Sequence, residues 1–181
     1  MAPRGGQTGS MQPELSAGEW AVLGAVAEGP THGFAVAQLL SPDGELGRIW
    51  TLPRPVVYQV VKKLLERDLI RARRTEASPK GPARTVLGIS PAGRAALRRW
   101  LAEPVDHVRD VRSLLLLKLA LLDRAGADPA HLLESQGERV RAQLDALAQA
   151  RDEATGFDRV ILEWRLAGSR ATLDFLSVVA V

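Results

Sequence analysis

The chain has no cysteine among its 181 residues. That absence excludes disulfides, cysteine nucleophiles and thiolate metal sites, and it fits a reducing compartment. Aromatic residues amount to only 4%, with a single tyrosine. The three histidines, His32, His107 and His131, stand at separations that match no metal motif. No serine lies in a Gly-x-Ser-x-Gly context, and no glycine loop of the phosphate-cradling kind is present. No metal, no cofactor and no enzymatic activity are expected from such a chain. Long apolar runs are missing as well. The longest, Leu114 to Leu122, is interrupted by Lys118 and is far short of the roughly 20 residues that cross a bilayer. The N-terminus has no apolar signal segment. A cytoplasmic protein without membrane contact is the expectation.

What is present is an uneven charge. The net charge is only +3. Residues 48–99, however, hold 13 basic and 3 acidic side chains, a net of +10, whereas residues 105–181 sum to −2. One third of the chain is basic and the remainder offsets it. Such a distribution points to an anionic partner for one part only.

Residues 1–14 are small, polar and rich in glycine and proline, and read as a disordered arm. Ser16-Ala17-Gly18-Glu19 is a capping box that opens a first helix, with Trp20, Leu23 and Ala27 as its buried stripe. Gly29-Pro30 ends it, and Thr31 is expected to cap a second helix reaching about Leu40. Pro53-Arg54-Pro55 introduces a third, with Pro55 at the first helical position. Val57, Val61, Leu64 and Leu65 face inward there, and Arg54, Gln59, Lys62, Lys63, Glu66 and Arg67 face out. Leu69–Arg74 and Arg84–Ile89 read as two strands around a basic tip. Ser90-Pro91 starts a fourth helix that Pro104 stops.

The rest is helical. Arg109 to Arg124 reads as a buried helix. Leu133, Gly137, Val140, Leu144 and Leu147 form a heptad seam. The last helix carries Ile161, Trp164, Gly168, Ala171 and Phe175 on one stripe and Leu162, Leu166, Leu173 and Leu176 on another. Two stripes call for two partners: this chain's own domain, and a second subunit. Leu133, Val140, Leu144, Leu147, Ile161, Trp164, Gly168 and Phe175 are therefore the candidates for a homodimer interface.

Three helices, a hairpin and a helix follow the order of a winged helix-turn-helix, whose third helix enters the major groove. The expected fold is mainly α: such a domain over 15–104, with three helices and a two-stranded wing, joined to an all-α dimerisation domain over 105–181. Double-stranded DNA is the expected partner. Lys62, Lys63, Arg73, Arg74, Lys80 and Arg84 suit phosphate contacts, which give salt-dependent affinity without sequence information. Gln59 has an amide able to pair with adenine, and Val56 an apolar end for a thymine methyl. Arg54 joins the phosphate set. His32 is a candidate for DNA contact or for packing against the wing.

Gly29-Pro30-Thr31-His32-Gly33-Phe34 resembles the Gly-Pro-x-His-Gly-Tyr signature of PadR-type transcriptional regulators. Val57 to Ile70, with its Val57-Tyr58 step, is similar to their recognition helix, and Ile89 to Arg94 to their segment after the wing. The resemblance spans about residues 15–180. It implies a dimeric, ligand-responsive regulator, usually a repressor, in which Tyr58 touches backbone or base edges. Three departures stand out: Phe34 for the usual Tyr, Pro55-Val56 for Gly-Thr, and Asp68 for Gly. They motivate an alternative, a winged-helix interaction adaptor without specific DNA binding. Trp100 and Trp164 are candidates for holding a small aromatic or hydrophobic effector, although tryptophans at helical spacing are more often core.

Overall fold

The computed structural model describes residues 15–78 and 81–180. The expected arm, 1–14, and Lys80 at the wing tip lie outside the described residues. Helix α1 (Ala17–Ala27) opens with the expected capping box: Ser16 Oγ accepts from the Glu19 backbone N–H at 3.3 Å, and the Glu19 carboxylate accepts from the Ser16 N–H at 2.8 Å. Burial pushes the Glu19 pKa up, but the Ser16 hydrogen bonds outweigh it and hold the group below its usual range. The single stripe expected for α1 understates the helix. Every residue from Gly18 to Val26 is buried. Other elements cover α1 on all sides, and a helix apolar all round is what such a position requires.

Thr31, expected as a cap, instead forms a short strand, β1, with His32, and α2 (Gly33–Leu39) follows directly with His32 at its cap position and no side-chain cap bond. Helix α3 spans Arg54–Glu66, one residue earlier at its start than expected, with Pro53 at the cap and Pro55 within the first turn. β2 (Ile70–Ser78) and β3 (Gly81–Ile89) make the wing. The sheet has three strands, not two, in the order β1-β3-β2. Thr31 pairs with Leu87 and His32 with Val86. β1 pairs with β3 and α1 packs on it, which anchors the wing's inner strand to the helices.

Asp68 takes φ 52° between α3 and β2. That left-handed conformation suits glycine best, so this departure from the family pattern keeps the turn and bears its strain. α4 (Pro91–Ala102) is capped by Ser90, whose Oγ accepts from Gly93 N–H at 2.9 Å and donates to the Asp68 carbonyl at 2.6 Å. Gly93 has no freedom to change, because a Cβ there would run into the Leu69 carbonyl oxygen.

The segment expected as one helix from Arg109 is broken into a 3-10 turn (Val108–Asp110), a π turn (Val111–Leu115) and α5 (Leu116–Arg124). α6 (Ala130–Glu153) and α7 (Gly156–Val179) then pack as a long hairpin. Two apolar cores result. Leu117 and Leu121 of α5 belong to the N-terminal core, while Val105, Leu115, Leu132, Leu133 and Leu176 form the other. The cores therefore do not part cleanly at residue 104: α5 crosses back. Arg124 fixes its end, bonding both Glu28 carboxylate oxygens at 2.6 and 2.7 Å and also meeting Glu45.

Residues 100–106 strap the two cores together. The Lys118 ammonium donates to the Trp100 carbonyl at 2.6 Å and to that of Glu103. Gln136, 1% exposed, holds Val105 by its N–H (2.7 Å) and its carbonyl (3.1 Å). Gln143 donates to the Asp106 carbonyl at 2.6 Å, and Arg139 pairs with the Asp106 carboxylate. Among the described residues no helix is long and apolar enough to cross a membrane.

Candidate nucleic-acid interface

Helix α3 is strongly two-faced. Val57, Val60, Val61 and Leu64 are buried, and Arg54, Tyr58, Gln59, Lys62 and Lys63 stand in solvent. Leu65, expected inward, is 37% exposed, and Val60 takes its place in the core. The period of 3.6 residues settles which positions share a face, and the exact angle of that face is set by the neighbours. Val56 is half-buried and packs against the N-terminal core.

At the start of α3 the Arg54 guanidinium lies 4.9 Å from the Phe34 ring centroid and 5.8 Å from that of Tyr58. Phe34 is 39% and Tyr58 44% exposed. Gly33 makes this possible: a Cβ there would stand 2.9 Å from the Tyr58 ring.

The basic stretch is partly neutralised within itself. Lys62 faces Glu66 at 3.9 Å, Arg71 makes two bonds of 3.0 Å to Asp68, and Arg74 holds Glu76 at 2.7 Å. The hydrogen bond from Arg71 keeps the Asp68 carboxyl below its usual range. Among the described residues no ion pair joins Arg54, Lys63, Arg67, Arg73 or Arg84 to a carboxylate. Arg73 is the extra residue of a β-bulge, between Ala72 and Arg74, and its side chain lies over Gly88. His32 sits on β1 with Nε2 3.9 Å from Glu76, and its buried Nδ1 has no hydrogen-bond partner. The wing carboxylate of Glu76 thus gathers His32 and Arg74 to one point, a grouping that sequence spacing gave no sign of.

The C-terminal candidates divide into two sets. Leu133 and Val140 are 5% and 1% exposed within this one chain. The heptad seam of α6 is covered by this chain's own α7, so those two residues have no surface left for a partner. Leu144, Leu147, Gly168 and Phe175 are half-buried. By contrast, Trp164 is 76% and Ile161 36% exposed, and Phe157, at 74%, joins them at helical spacing. Phe157 was not among the expected residues, although the spacing of four to Ile161 was there to read.

Trp100 is unavailable to an effector. It is 7% exposed, its ring stacks on Trp20 at 4.7 Å and 10°, and the Lys118 ammonium lies 4.7 Å from its centroid. Lys118 itself is 3% exposed. Burial pushes its pKa down to about 8, with the Glu103 and Asp106 carboxylates acting the other way. An open groove of about 600 Å³ runs along α6 beside Pro104, lined by Arg139, Ala142 and Gln143 among others. Neither tryptophan lines it. His107 and His131 are exposed, and among the described residues no three acidic or histidine side chains gather as a metal site would need.

Residues 22–99 match the model of the transcriptional regulator PadR-like family. The probable transcriptional regulator Rv1176c of Mycobacterium tuberculosis is 30% identical over 117 residues, which are 65% of this chain. The match spans 58% of that relative's length. Among solved structures, Bacillus subtilis PadR in complex with operator DNA is 19% identical with a TM-score of 0.46, covering 90% of this chain and 97% of the other. The same protein in complex with p-coumaric acid is 18% identical with a TM-score of 0.43, covering 91% and 97%.

Proposed function

We propose that this chain is a member of the transcriptional regulator PadR-like family, whose model its residues 22–99 match, and that it binds operator DNA as a homodimer and represses transcription. The observation that carries the reading is the solvent face of α3, where Arg54, Tyr58, Gln59, Lys62 and Lys63 stand together on a helix whose other face is core. Such a helix fits the major groove. Lys62 and Lys63, with Arg73, Arg74, Lys80 and Arg84 of the wing, meet phosphates. Gln59 is placed along α3 to pair with adenine. In a two-fold dimer the two copies of α3 enter successive major grooves about 34 Å apart on a near-palindromic site.

The apolar stripe of Phe157, Ile161 and Trp164 supports the second subunit, because side chains of this kind gain by leaving water. A small aromatic or hydrophobic effector completes the reading. It acts by binding one arrangement of the two domains better than the other, and the strap 100–106 joins their two cores.

A gel shift on the chain's own promoter region, repeated across salt concentrations, tests the proposal. Binding is expected to fall with salt, with a logarithmic slope of about −0.9 per phosphate neutralised. A Lys62→Ala/Lys63→Ala double variant should lose DNA affinity and still scatter light as a dimer. Absence of binding by the wild type at low salt refutes the regulator reading and favours the interaction adaptor.

A further inference from the structure

We propose that Arg54 reads a guanine in each operator half-site, and that Phe34 and Tyr58 are the positioning residues that aim it. The inference rests on the DNA-binding reading above and deepens it. Its ground is the arrangement at the first turn of α3, where the guanidinium lies over two aromatic rings, 4.9 and 5.8 Å from their centroids. Both rings are more than a third exposed. Two large rings left in water around a cation are not a core feature. Tyr58 packs directly on the Gly33 backbone, where an added Cβ would stand 2.9 Å from its ring.

The chemistry follows from the shape of the group. A guanidinium is flat, with five N–H donors around its rim. Aromatic rings attract its face, which leaves the rim free. No carboxylate ties up that rim among the described residues. Guanine offers two acceptors, O6 and N7, side by side in the major groove, and an arginine fork matches both. A guanidinium already held between two rings loses less freedom on making that pair than one waving in solvent. A phosphate contact has no need of such restraint, and Lys62 and Lys63 already supply point charge on the same helix. The first turn of a recognition helix is also the part that meets base edges. Phe34 lacks the hydroxyl of the family's usual tyrosine, so stacking is the work left to it.

The test is selection from a pool of randomised duplexes with the full-length chain, at about 50 mM salt. Fluorescence anisotropy on the selected duplex and on one with the guanine replaced then gives the discrimination. Wild type should enrich a guanine and bind the replaced duplex about 10-fold or more weakly. Arg54→Lys should bind both duplexes alike, with a salt slope close to that of wild type. Phe34→Leu should reduce the discrimination and Phe34→Tyr should retain it, with unchanged melting temperatures showing that the fold is intact. A selected site without guanine, or discrimination that survives Arg54→Lys, overturns the proposal and leaves DNA binding standing. Full discrimination by Phe34→Leu overturns the positioning role. Failure of the wild type to bind any duplex overturns the DNA-binding reading and this inference with it.

Discussion

Replacing Lys118 with methionine removes a buried ammonium and keeps an unbranched side chain of similar length. The structure sets two effects against each other. The ammonium donates to the carbonyls of Trp100 and Glu103 and lies over the Trp100 ring. Against these stands its removal from water, at 3% exposure. Burial wins, and the pKa falls to about 8, while an unfolded lysine titrates near ~10.4. Between those values the unfolded chain binds more protons than the folded one, so stability rises with pH. From about pH 7.5 to about pH 9.5 the lysine's contribution improves by about 2 kcal/mol. Methionine does not titrate, so the difference between wild type and variant isolates this change. At neutral pH the variant forgoes two charge-assisted hydrogen bonds of about 1.5–3 kcal/mol each and avoids the cost of a buried charge, several kcal/mol, so the two proteins should be of similar stability. Urea unfolding, followed by tryptophan fluorescence of the Trp20–Trp100 stack, measures both proteins across the pH range. Wild type should gain on the variant as pH rises. A difference that stays flat or shrinks refutes the reasoning: the two carbonyls and the indole would then hold the ammonium as well as water does.

Three further outcomes follow from close contacts. In Gly24→Ala the new Cβ would stand 2.5 Å from Leu121 Cδ1. Overpacking of that kind costs about 1–3 kcal/mol and the better helix former returns about 1 kcal/mol, so urea unfolding should show a net loss of up to about 2 kcal/mol; a gain would show that α5 yields freely. Glu76→Gln releases Arg74 and removes a negative charge from the wing, so anisotropy on the operator should show tighter binding with a salt slope steeper by about 0.9; unchanged binding would place Arg74 away from phosphate. Trp164→Glu puts a charge into the exposed stripe of α7. Burying an indole there is worth about 3 kcal/mol in each subunit, so light scattering at micromolar concentration should report a monomer; a persistent dimer would place the interface elsewhere.

The local grammar of the chain was legible without coordinates. The capping box at Ser16, the proline-led start of α3, the Ser90 cap and the two-stranded wing each depend on residues a few positions apart, and each is present. The charge excess also mapped onto α3 and the wing. What spacing could not supply was the identity of the partner. The α6 heptad announced a buried stripe, and Leu133 and Val140 are buried, but by α7 of the same chain. Trp100 was a candidate for an effector site, with core the commoner role of such a tryptophan, and its ring is spent on Trp20 and Lys118.

The sequence by itself determined which residues share a face, where helices start and stop, and which third of the chain is basic, because these depend on neighbours within a turn or a hairpin. Only the tertiary structure decided what each face meets. Glu28 and Arg124 meet across 96 positions, and Val105 and Gln136 across 31. It also decided that Glu76 meets His32, that α5 completes the N-terminal core, and that Arg54 rests on Phe34 as well as Tyr58. Periodicity fixes the direction of a side chain relative to its own helix. Burial, pairing and pKa depend on what the rest of the chain brings to that spot.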